Sequence, residues 1–230
     1  GDSWTPLPSP LESRGYVDMT LDVLNLFGIY PEMRENGFFI PGNRVYAPQG
    51  FCIEVDWSQA AFWYVAQTLG STVEVGGMDP GSAQGDTAIL EFLNRLAAER
   101  ELSFDVSQCP DLVPPMAAAA ALAPGRVTRL TNAARLRLKE SDRLTSVTQV
   151  LNALGADIED FLLIHGKELL QGGVTVDSWN DHRIAMMAAI AATRCGKPIT
   201  LTGAESVGKS YPTFWEEYAR LGGKTEEVTV

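Results

Sequence analysis

Histidine and cysteine are scarce in this 230-residue sequence, which has two histidines and three cysteines. Cys52, Cys109 and Cys195 are widely spaced and form no CxxC motif. We therefore expect buried, reduced thiols of a cytosolic protein and no disulfide framework. His165 and His182 are too few to build a histidine-rich metal site.

Long apolar runs are also lacking. The alanine-rich stretch at 116–123 is shorter than the roughly 18 residues that a membrane helix needs, and two prolines stand at its head. The first ten residues are polar and proline-rich, unlike a secretory signal peptide. These features predict a cytoplasmic protein that does not enter a membrane.

Basic residues are outnumbered by acidic ones, 18 to 29, which gives a formal net charge of −11. This balance argues against a nucleic-acid-binding surface. The basic residues are unevenly spread, however, because Arg135, Arg137, Lys139 and Arg143 fall within one short segment. Such clustering favours a local cationic pocket for small anionic substrates on an otherwise acidic protein.

A short pattern recurs along the chain, at 24–28, 93–97, 151–155 and, more loosely, 218–222. Each copy reads as the end of an amphipathic helix at a small residue, the position of a helix C-cap. An extended segment is expected after each copy, at 38–40, 102–104, 161–164 and 227–229. One such match could arise by chance, but four in register indicate an internal repeat of roughly 55 to 70 residues.

A second element precedes the last three of these helices. Glycine-led strands are predicted at 70–75, 125–130 and 196–201, each after a helix rich in small residues, at 60–69, 116–122 and 184–192. The unit is thus strand, helix, strand, helix and short strands, which predicts an α/β fold whose copies pack together around the alanine-rich helices. Three copies lie in 53–230, and 1–52 reads as the tail of another domain.

The segment 135–144 carries the densest charge of the sequence. We expect a helix to begin within it, with Lys139, Glu140 and Arg143 on the first turn, where exposed N–H groups and the helix dipole favour anions. An alternative is that Ser141 merely caps the helix and the charges face solvent.

Three further helix starts carry polar side chains. Asp181 opens an apolar helix with His182 and Arg183, and a buried cation there needs a partner that a bound anion could supply. Asp111 opens an alanine-rich helix, either as a plain cap or as a base whose pKa the helix end depresses. Lys209 is expected at a fourth helix start. Equivalent helix starts of related repeats can point into one cleft.

The segments 137–144, which reads R-x-K-E-S-D-R-L, and 180–186, which reads N-D-H-R-x-A-M, resemble the EPSP synthase (5-enolpyruvylshikimate-3-phosphate synthase) family. The segments 9–16, 54–60, 84–86 and 209–212 are similar to that family as well. The resemblance implies a fold of two similar domains, each of three βαβαββ units, with the substrates bound between them. Under it, 1–52 belongs to the upper domain and 53–230 to the lower one.

The resemblance also implies a reaction, the transfer of a carboxyvinyl group from phosphoenolpyruvate to shikimate 3-phosphate without a metal or organic cofactor. Asp111 would be the base and Glu140 a candidate proton shuttle. The residues that bind phosphoenolpyruvate would be Arg143, Arg183 and Lys209. Those that bind shikimate 3-phosphate would be Ser13, Asp111, Arg135 and Lys139. Some family members have asparagine at the position of Arg135, which leaves that contact in doubt.

The family's N-terminal lysine, serine and arginine, which grip both substrates, have no counterpart in this sequence. We therefore expect a missing N-terminal half as a partner and no catalysis by this chain alone. Two alternatives stay open. One is a non-catalytic anion-binding domain of the same fold, and the other is a relative of the UDP-N-acetylglucosamine enolpyruvyl transferases, against which the two motifs speak.

Overall fold

The computed structural model describes residues 1–8, 11–160 and 162–228. Ser9 and Pro10 of the segment 9–16, Phe161 of a predicted strand and Thr229 of the last predicted extended segment lie outside these ranges. No helix in the described ranges is long and apolar enough to cross a bilayer.

The first 52 residues form a small antiparallel sheet and one helix. Strand β1 is Ser3–Pro6, helix α1 is Arg14–Leu26, and strands β2 and β3 are Glu32–Arg34 and Gly37–Ile40. The strand order is β1-β3-β2, with Ser3 opposite Ile40 and Arg34 opposite Gly37. The predicted strand at 38–40 is confirmed. No residue of α1 is buried, so its apolar side chains add little to the core.

Six further α-helices in the described ranges contribute to the main core: α2 Trp57–Thr68, α3 Ala88–Ala98, α4 Val113–Ala121, α5 Arg143–Ala153, α6 His182–Ala192 and α7 Phe214–Arg220. Every residue of α4 is buried, and nine of the eleven residues of α6 are. Small side chains let these two helices approach their neighbours closely. The predicted role of the alanine-rich helices at a crowded centre is confirmed.

The strands surround this helical centre in three groups. Strands β4 Glu101–Asp105, β5 Val127–Thr131, β6 Ile158–Glu159 and β7 Leu163–His165 form one sheet in the order β4-β5-β7-β6. Only the β4–β5 pair of this sheet is parallel. Strands β8 Leu170–Gly172 and β10 Cys195–Lys197 form a parallel pair, as do β9 Thr175–Asp177 and β11 Thr200–Thr202.

The order β4-α4-β5-α5-β6-β7 is one full βαβαββ unit, and the predicted α/β fold is confirmed. The chain after it repeats the first part of the unit, as β8 and β9, α6, β10 and β11, then α7. The division of the chain at residues 52 and 53 stays a prediction.

Two predicted strands do not form. Neither residues 70–75 nor 227–228, the described part of the segment predicted at 227–229, form a strand. In the first segment Val73 is buried between exposed neighbours, which is a strand-like alternation. Alternation alone does not make a strand, because the backbone groups also need a partner edge.

The predicted helix C-caps are confirmed at three of four copies. Gly28, Gly155 and Gly222 follow α1, α5 and α7 with φ of 82°, 102° and 98°, a conformation that favours glycine. At the remaining copy the helix continues through Ala97 to Ala98. Alanine lacks the freedom of glycine in the left-handed region, so it does not end the helix there.

Candidate active site

Three helix starts converge on one polar cluster. Asp111 lies in the 3-10 turn Pro110–Leu112 that leads into α4, Arg143 is the first residue of α5, and Arg183 is the second residue of α6. The Asp181 carboxylate accepts the backbone N–H of Arg183 at 2.9 Å, as predicted for an N-cap. Side chains far apart in sequence therefore meet at equivalent positions of successive units.

The start of α5 differs from the sequence prediction. Asp142, and not Ser141, is the N-cap, and it accepts the backbone N–H of Thr145 at 3.3 Å. Lys139 and Glu140 consequently lie in the loop before the helix, not on its first turn. Ser141 is free for another contact, and its hydroxyl donates to Asp181 Oδ2 at 3.0 Å.

Arg143 is the centre of this polar cluster. Its guanidinium is fully buried and donates through Nε to Asp181 Oδ2 at 2.8 Å and through Nη1 to Asp111 Oδ1 at 2.7 Å. A third donation runs from Nη2 to Glu140 Oε2 at 2.5 Å. Burial alone would lower the pKa of Arg143, but the bond and charge of Asp181 outweigh it and raise the pKa. The side chain is permanently charged.

Asp111 lies among cations. Its Oδ1 is 3.0 Å from Lys139 Nζ and accepts from Arg143 at 2.7 Å, while its Oδ2 is 3.5 Å from Arg183 Nη2. Burial opposes the charge on Asp111, but the nearby charges of Arg183, Lys139 and Arg143 prevail and lower its pKa to about 2. Asp111 is no plain helix cap, because α4 begins without a side-chain cap. The carboxylate is ionised at neutral pH and can accept a proton.

Arg183 retains unused hydrogen-bond donors. Its Nη2 donates to Ser58 Oγ at 3.1 Å, but Nε and Nη1 are buried without a hydrogen-bond partner in the described ranges. The neighbouring His182 Nδ1 is likewise buried without a hydrogen-bond partner there, and it lies 4.0 Å from Asp181 Oδ1. Burial and the Arg183 charge lower the pKa of His182. A cation with two idle buried donors can bind an anion, because leaving those donors unpaired costs free energy.

Ser13 and Arg135 form a second contact beside the cluster. Arg135 Nη1 donates to Ser13 Oγ at 3.1 Å, and Arg135 Nε is 3.3 Å from Glu12 Oε2. Ser13 stands at the start of α1 with φ of 53°. The structure therefore brings these two predicted substrate ligands together, although it shows no direct bond between them and Asp111.

Lys209 is placed differently from the prediction. It ends the 3-10 helix Ala204–Lys209 and does not begin an α-helix, because α7 starts only at Phe214. Its exposed ammonium donates to the backbone oxygen of Asn180 at 2.5 Å. Asn180 precedes the cap of α6, so Lys209 stands at the rim of the same cluster.

Tyr16 and Asp86 also belong to the cluster, although no role was predicted for either of them from the sequence. The Tyr16 hydroxyl donates to Asp86 Oδ2 at 2.5 Å and lies 3.4 Å from Asp111 Oδ2. Both residues belong to segments that carry the family resemblance, which is the only sequence signal that could have drawn attention to them. Within the described ranges no group of three or more His, Cys, Asp or Glu side chains is arranged to hold a metal ion.

The sequence and the fold of the chain also match known proteins. Residues 5–218 match the sequence profile of a family described as EPSP synthase (3-phosphoshikimate 1-carboxyvinyltransferase). Proteins named 3-phosphoshikimate 1-carboxyvinyltransferase from Clostridium kluyveri and Clostridium acetobutylicum are 45% and 47% identical over 100% and 99% of this chain. An EPSP synthase structure from Acinetobacter baumannii superposes over 98% of the chain, with a TM-score of 0.79 and 28% identity.

The chain spans 58% of the Clostridium kluyveri protein, 56% of the Clostridium acetobutylicum protein and 58% of the Acinetobacter baumannii chain. The profile match nevertheless covers nearly all of its residues, and the motifs of the site lie inside that match. The chain belongs to the EPSP synthase (3-phosphoshikimate 1-carboxyvinyltransferase) family.

Proposed function

We propose that this chain forms one side of the active site of an enzyme that transfers the carboxyvinyl group of phosphoenolpyruvate to shikimate 3-phosphate. The observation that carries the proposal is the ionised Asp111 among Lys139, Arg143 and Arg183. Both substrates are anions that need cations, and the attacking hydroxyl needs a base, so one cluster meets both demands.

The proposed reaction needs a group that accepts a proton and a group that donates one. The substrate hydroxyl loses its proton as its oxygen bonds to the enol carbon of phosphoenolpyruvate, whose methylene gains a proton. The methyl group then returns a proton as the C–O bond to phosphate breaks and the vinyl group re-forms. We assign the first proton to Asp111 and the methylene proton to Glu140. The Glu140 carboxylate is 43% exposed at the mouth of the cluster, so it can exchange protons with solvent.

The low pKa of Asp111 fits this role only when substrates are bound. At a pKa of about 2 a carboxylate is a weak base, because general bases work best near the operating pH. Each cation that turns toward a substrate anion stops stabilising the charge on Asp111. Bound phosphoenolpyruvate on Arg143, Arg183 and Lys209 should therefore raise the pKa of Asp111 and strengthen it as a base.

The shikimate 3-phosphate ligands are assigned on the same reasoning. Lys139 is a quarter exposed and can pass from Asp111 to a phosphate. Ser13 and Arg135 already pair with each other, so they offer a hydroxyl and a guanidinium at one place. The motifs argue against UDP-N-acetylglucosamine as the acceptor.

We propose that the part of the relatives outside the match supplies the opposite side of the site. The 58% coverage of the relative supports this view. Positioning both substrates from two sides is worth on the order of 7–11 kcal/mol, so the 230-residue chain should bind anions weakly and not turn over. No metal or organic cofactor, nucleic acid or membrane enters the proposal. The three cysteines are free, but of these only Cys109 is buried, so the expected burial of all three thiols was wrong. We propose a cytoplasmic location, where free thiols are usual.

The test compares the 230-residue chain with a chimaera that adds the uncovered part of the Clostridium kluyveri protein. Phosphate release is measured with phosphoenolpyruvate and shikimate 3-phosphate, and with UDP-N-acetylglucosamine as the alternative acceptor. We expect turnover by the chimaera with shikimate 3-phosphate, no turnover by the chain, and loss of turnover in the Asp111→Asn chimaera. A chimaera that binds phosphate but never turns over would favour the non-catalytic alternative.

A further inference from the structure

Asp86 is a buried carboxylate that the roles assigned above do not use. It lies in the 3-10 turn Gly85–Thr87 and is only 1% exposed. Its Oδ2 accepts the Tyr16 hydroxyl at 2.5 Å, while its Oδ1 has no hydrogen-bond partner in the part of the chain that the structure describes. Burying a carboxylate with an unpaired oxygen is costly, which calls for an explanation of its presence.

The Tyr16 hydroxyl lies between two carboxylates but has a single proton. Asp86 Oδ2 at 2.5 Å is much closer than Asp111 Oδ2 at 3.4 Å, so the proton points to Asp86. Asp111 Oδ1 is already held by Lys139 and Arg143. Asp111 Oδ2, whose polar contacts within the described ranges are longer, at 3.4 Å and 3.5 Å, is therefore the oxygen left to receive a proton.

We propose that Asp86 is a positioning residue that acts through Tyr16. By accepting the hydroxyl proton of Tyr16, it keeps that proton away from Asp111 Oδ2 and leaves this oxygen free for the proton of the substrate hydroxyl. This inference rests on the proposed role of Asp111 as the base.

The backbone fixes Tyr16 in this place. A side chain at Gly15 would bring its Cβ to 2.6 Å from the Ala83 oxygen and 2.9 Å from the Gly85 nitrogen, so only glycine allows so close an approach. The Arg14 N–H donates to Gln108 Oε1 at 2.9 Å on the same side. The start of α1 is thus docked against the turn that carries Asp86, which sets the position of the hydroxyl.

The charges around Asp86 make the contact sensitive to pH. Burial raises its pKa to about 6, although the Tyr16 bond and the Arg183 charge oppose the rise, and Asp111 and Asp56 add to it. In the described ranges the groups that face it are Tyr16 on α1, Asp56 capping α2, Asp111 before α4, Arg183 on α6 and the thiol of Cys109, whose own pKa is raised by burial and by Asp86. Burial and the same carboxylate raise the pKa of Tyr16, so the hydroxyl keeps its proton.

Turnover should decrease when Asp86 becomes protonated. Above a pH of about 6 Asp86 is ionised and holds the Tyr16 proton. As pH falls through that value Asp86 takes up a proton and becomes a weaker acceptor, so the Tyr16 hydroxyl turns toward the still ionised Asp111. The oxygen that should receive the substrate proton is then occupied, and turnover should fall.

The test is a double-mutant cycle in the chimaera described above, with Asp86→Asn, Tyr16→Phe and both changes together. The isosteric Asp86→Asn change removes the stronger acceptor, so we expect kcat to fall about tenfold with both KM values within about twofold. The acid limb near pH 6 should disappear. In the Tyr16→Phe background no hydroxyl proton can be misdirected, so Asp86→Asn should change kcat by less than about twofold.

Matched controls are Tyr218→Phe and Asp105→Asn. Tyr218 is a buried tyrosine that donates to a backbone oxygen, and Asp105 caps a backbone N–H at the surface. Both changes should leave the pH profile unaltered. Equal effects of Asp86→Asn in the two backgrounds, or an unchanged kcat, would overturn the inference while leaving the proposed function intact.

An NMR measurement that needs no turnover distinguishes the positioning role of Asp86 from the proposed function of the chain. In the 230-residue chain with carbon-13-labelled aspartate, Asp86→Asn should shift the carboxyl resonance of Asp111 at pH 7, because the Tyr16 hydroxyl turns to it. The additional Tyr16→Phe change should abolish that shift. An inactive wild-type chimaera with the shift present would refute the proposed function alone, and an unmoved Asp111 resonance would refute the role of Asp86.

Discussion

Arg143→Met is the change that tests most directly how the polar cluster contributes to stability. Methionine keeps the length of the side chain and removes its charge. The wild-type guanidinium is fully buried and holds both oxygens of Asp181, through Nε at 2.8 Å and Nη2 at 3.2 Å. Asp181 is itself fully buried, so the variant leaves an ionised carboxylate in the interior without its cation.

The loss of stability in Arg143→Met comes mainly from the Asp181 carboxylate. Breaking a buried ion pair by removing one partner costs about 3–5 kcal/mol. The contact with Glu140 adds little, because Glu140 is 43% exposed and such pairs contribute at most about 1 kcal/mol. Asp111 keeps Lys139 and Arg183 nearby. We therefore expect Arg143→Met to lower the free energy of unfolding by about 3–5 kcal/mol at pH 7.

The contribution of Asp181 to stability should change with pH in opposite directions in the wild type and in Arg143→Met. In the wild type, burial opposes the charge of Asp181, but the bonds and charge of Arg143 prevail and lower its pKa. That stabilisation is present above the unfolded pKa of about 3.9 and is lost as pH falls below it. Without Arg143, burial raises the pKa of Asp181 above the unfolded value. The variant then regains stability as pH falls toward 4, so the difference should shrink.

Urea unfolding followed by circular dichroism at pH 7 and pH 4.5 measures both effects. Arg220→Met is the matched control, since Arg220 is 68% exposed and, among the described residues, its ion pair is with Glu217 on its own helix. It should change stability by less than about 0.5 kcal/mol. A loss below about 1 kcal/mol for Arg143→Met, or an equal loss at both pH values, would refute the argument from burial.

Three further predictions concern catalysis, docking and reactivity. In the chimaera, Glu140→Gln should lower turnover at least about tenfold with little change in shikimate 3-phosphate affinity, whereas Arg183→Ala should mainly weaken phosphoenolpyruvate binding. If steady-state kinetics showed similar small effects of both changes on kcat and KM, the assigned roles would be contradicted. Gly15→Ala should destabilise the chain by about 1–3 kcal/mol in urea unfolding, because its Cβ would meet backbone at 2.6 Å; an unchanged midpoint would show that α1 is not docked as described. Cys109 should resist thiol reagents at pH 8 while exposed Cys52 reacts, since burial raises the pKa of Cys109 to about 12; equal labelling rates would contradict this.

Much of the fold could be predicted because its signals are local. Glycine after a helix marks the C-cap, and alanine-rich helices identify the crowded centre, as at α4 and α6. The strand at 70–75 was wrong because strand formation depends on a partner edge that the segment itself does not specify. The start of α5 was misplaced because serine and aspartate are equally good caps, and only the folded backbone chooses Asp142 over Ser141.

Most members of the cluster were predicted from the sequence, but Tyr16, Asp86 and the contacts within the cluster were not. The motifs and the internal repeat indicated that Asp111, Arg143 and Arg183 would meet, and they do. The Tyr16–Asp86 bond joins residues 70 positions apart. No periodicity or capping pattern links two such residues, because their meeting depends on how α1 packs against the main core.

The charge balance of the cluster explains how so acidic a protein could bind anions. The cations Lys139 and Arg143 are paired with carboxylates of the cluster, so their positive charge is already used locally. An incoming anion must compete with Asp111 for Lys139, but it meets no rival at Nε and Nη1 of Arg183, which have no hydrogen-bond partner in the described ranges. Arg183 is therefore the side chain at which a first anion gains most, and each cation then drawn from Asp111 makes that carboxylate a stronger base. Under the proposed function, substrate binding and activation of the base would be two consequences of the same exchange of partners.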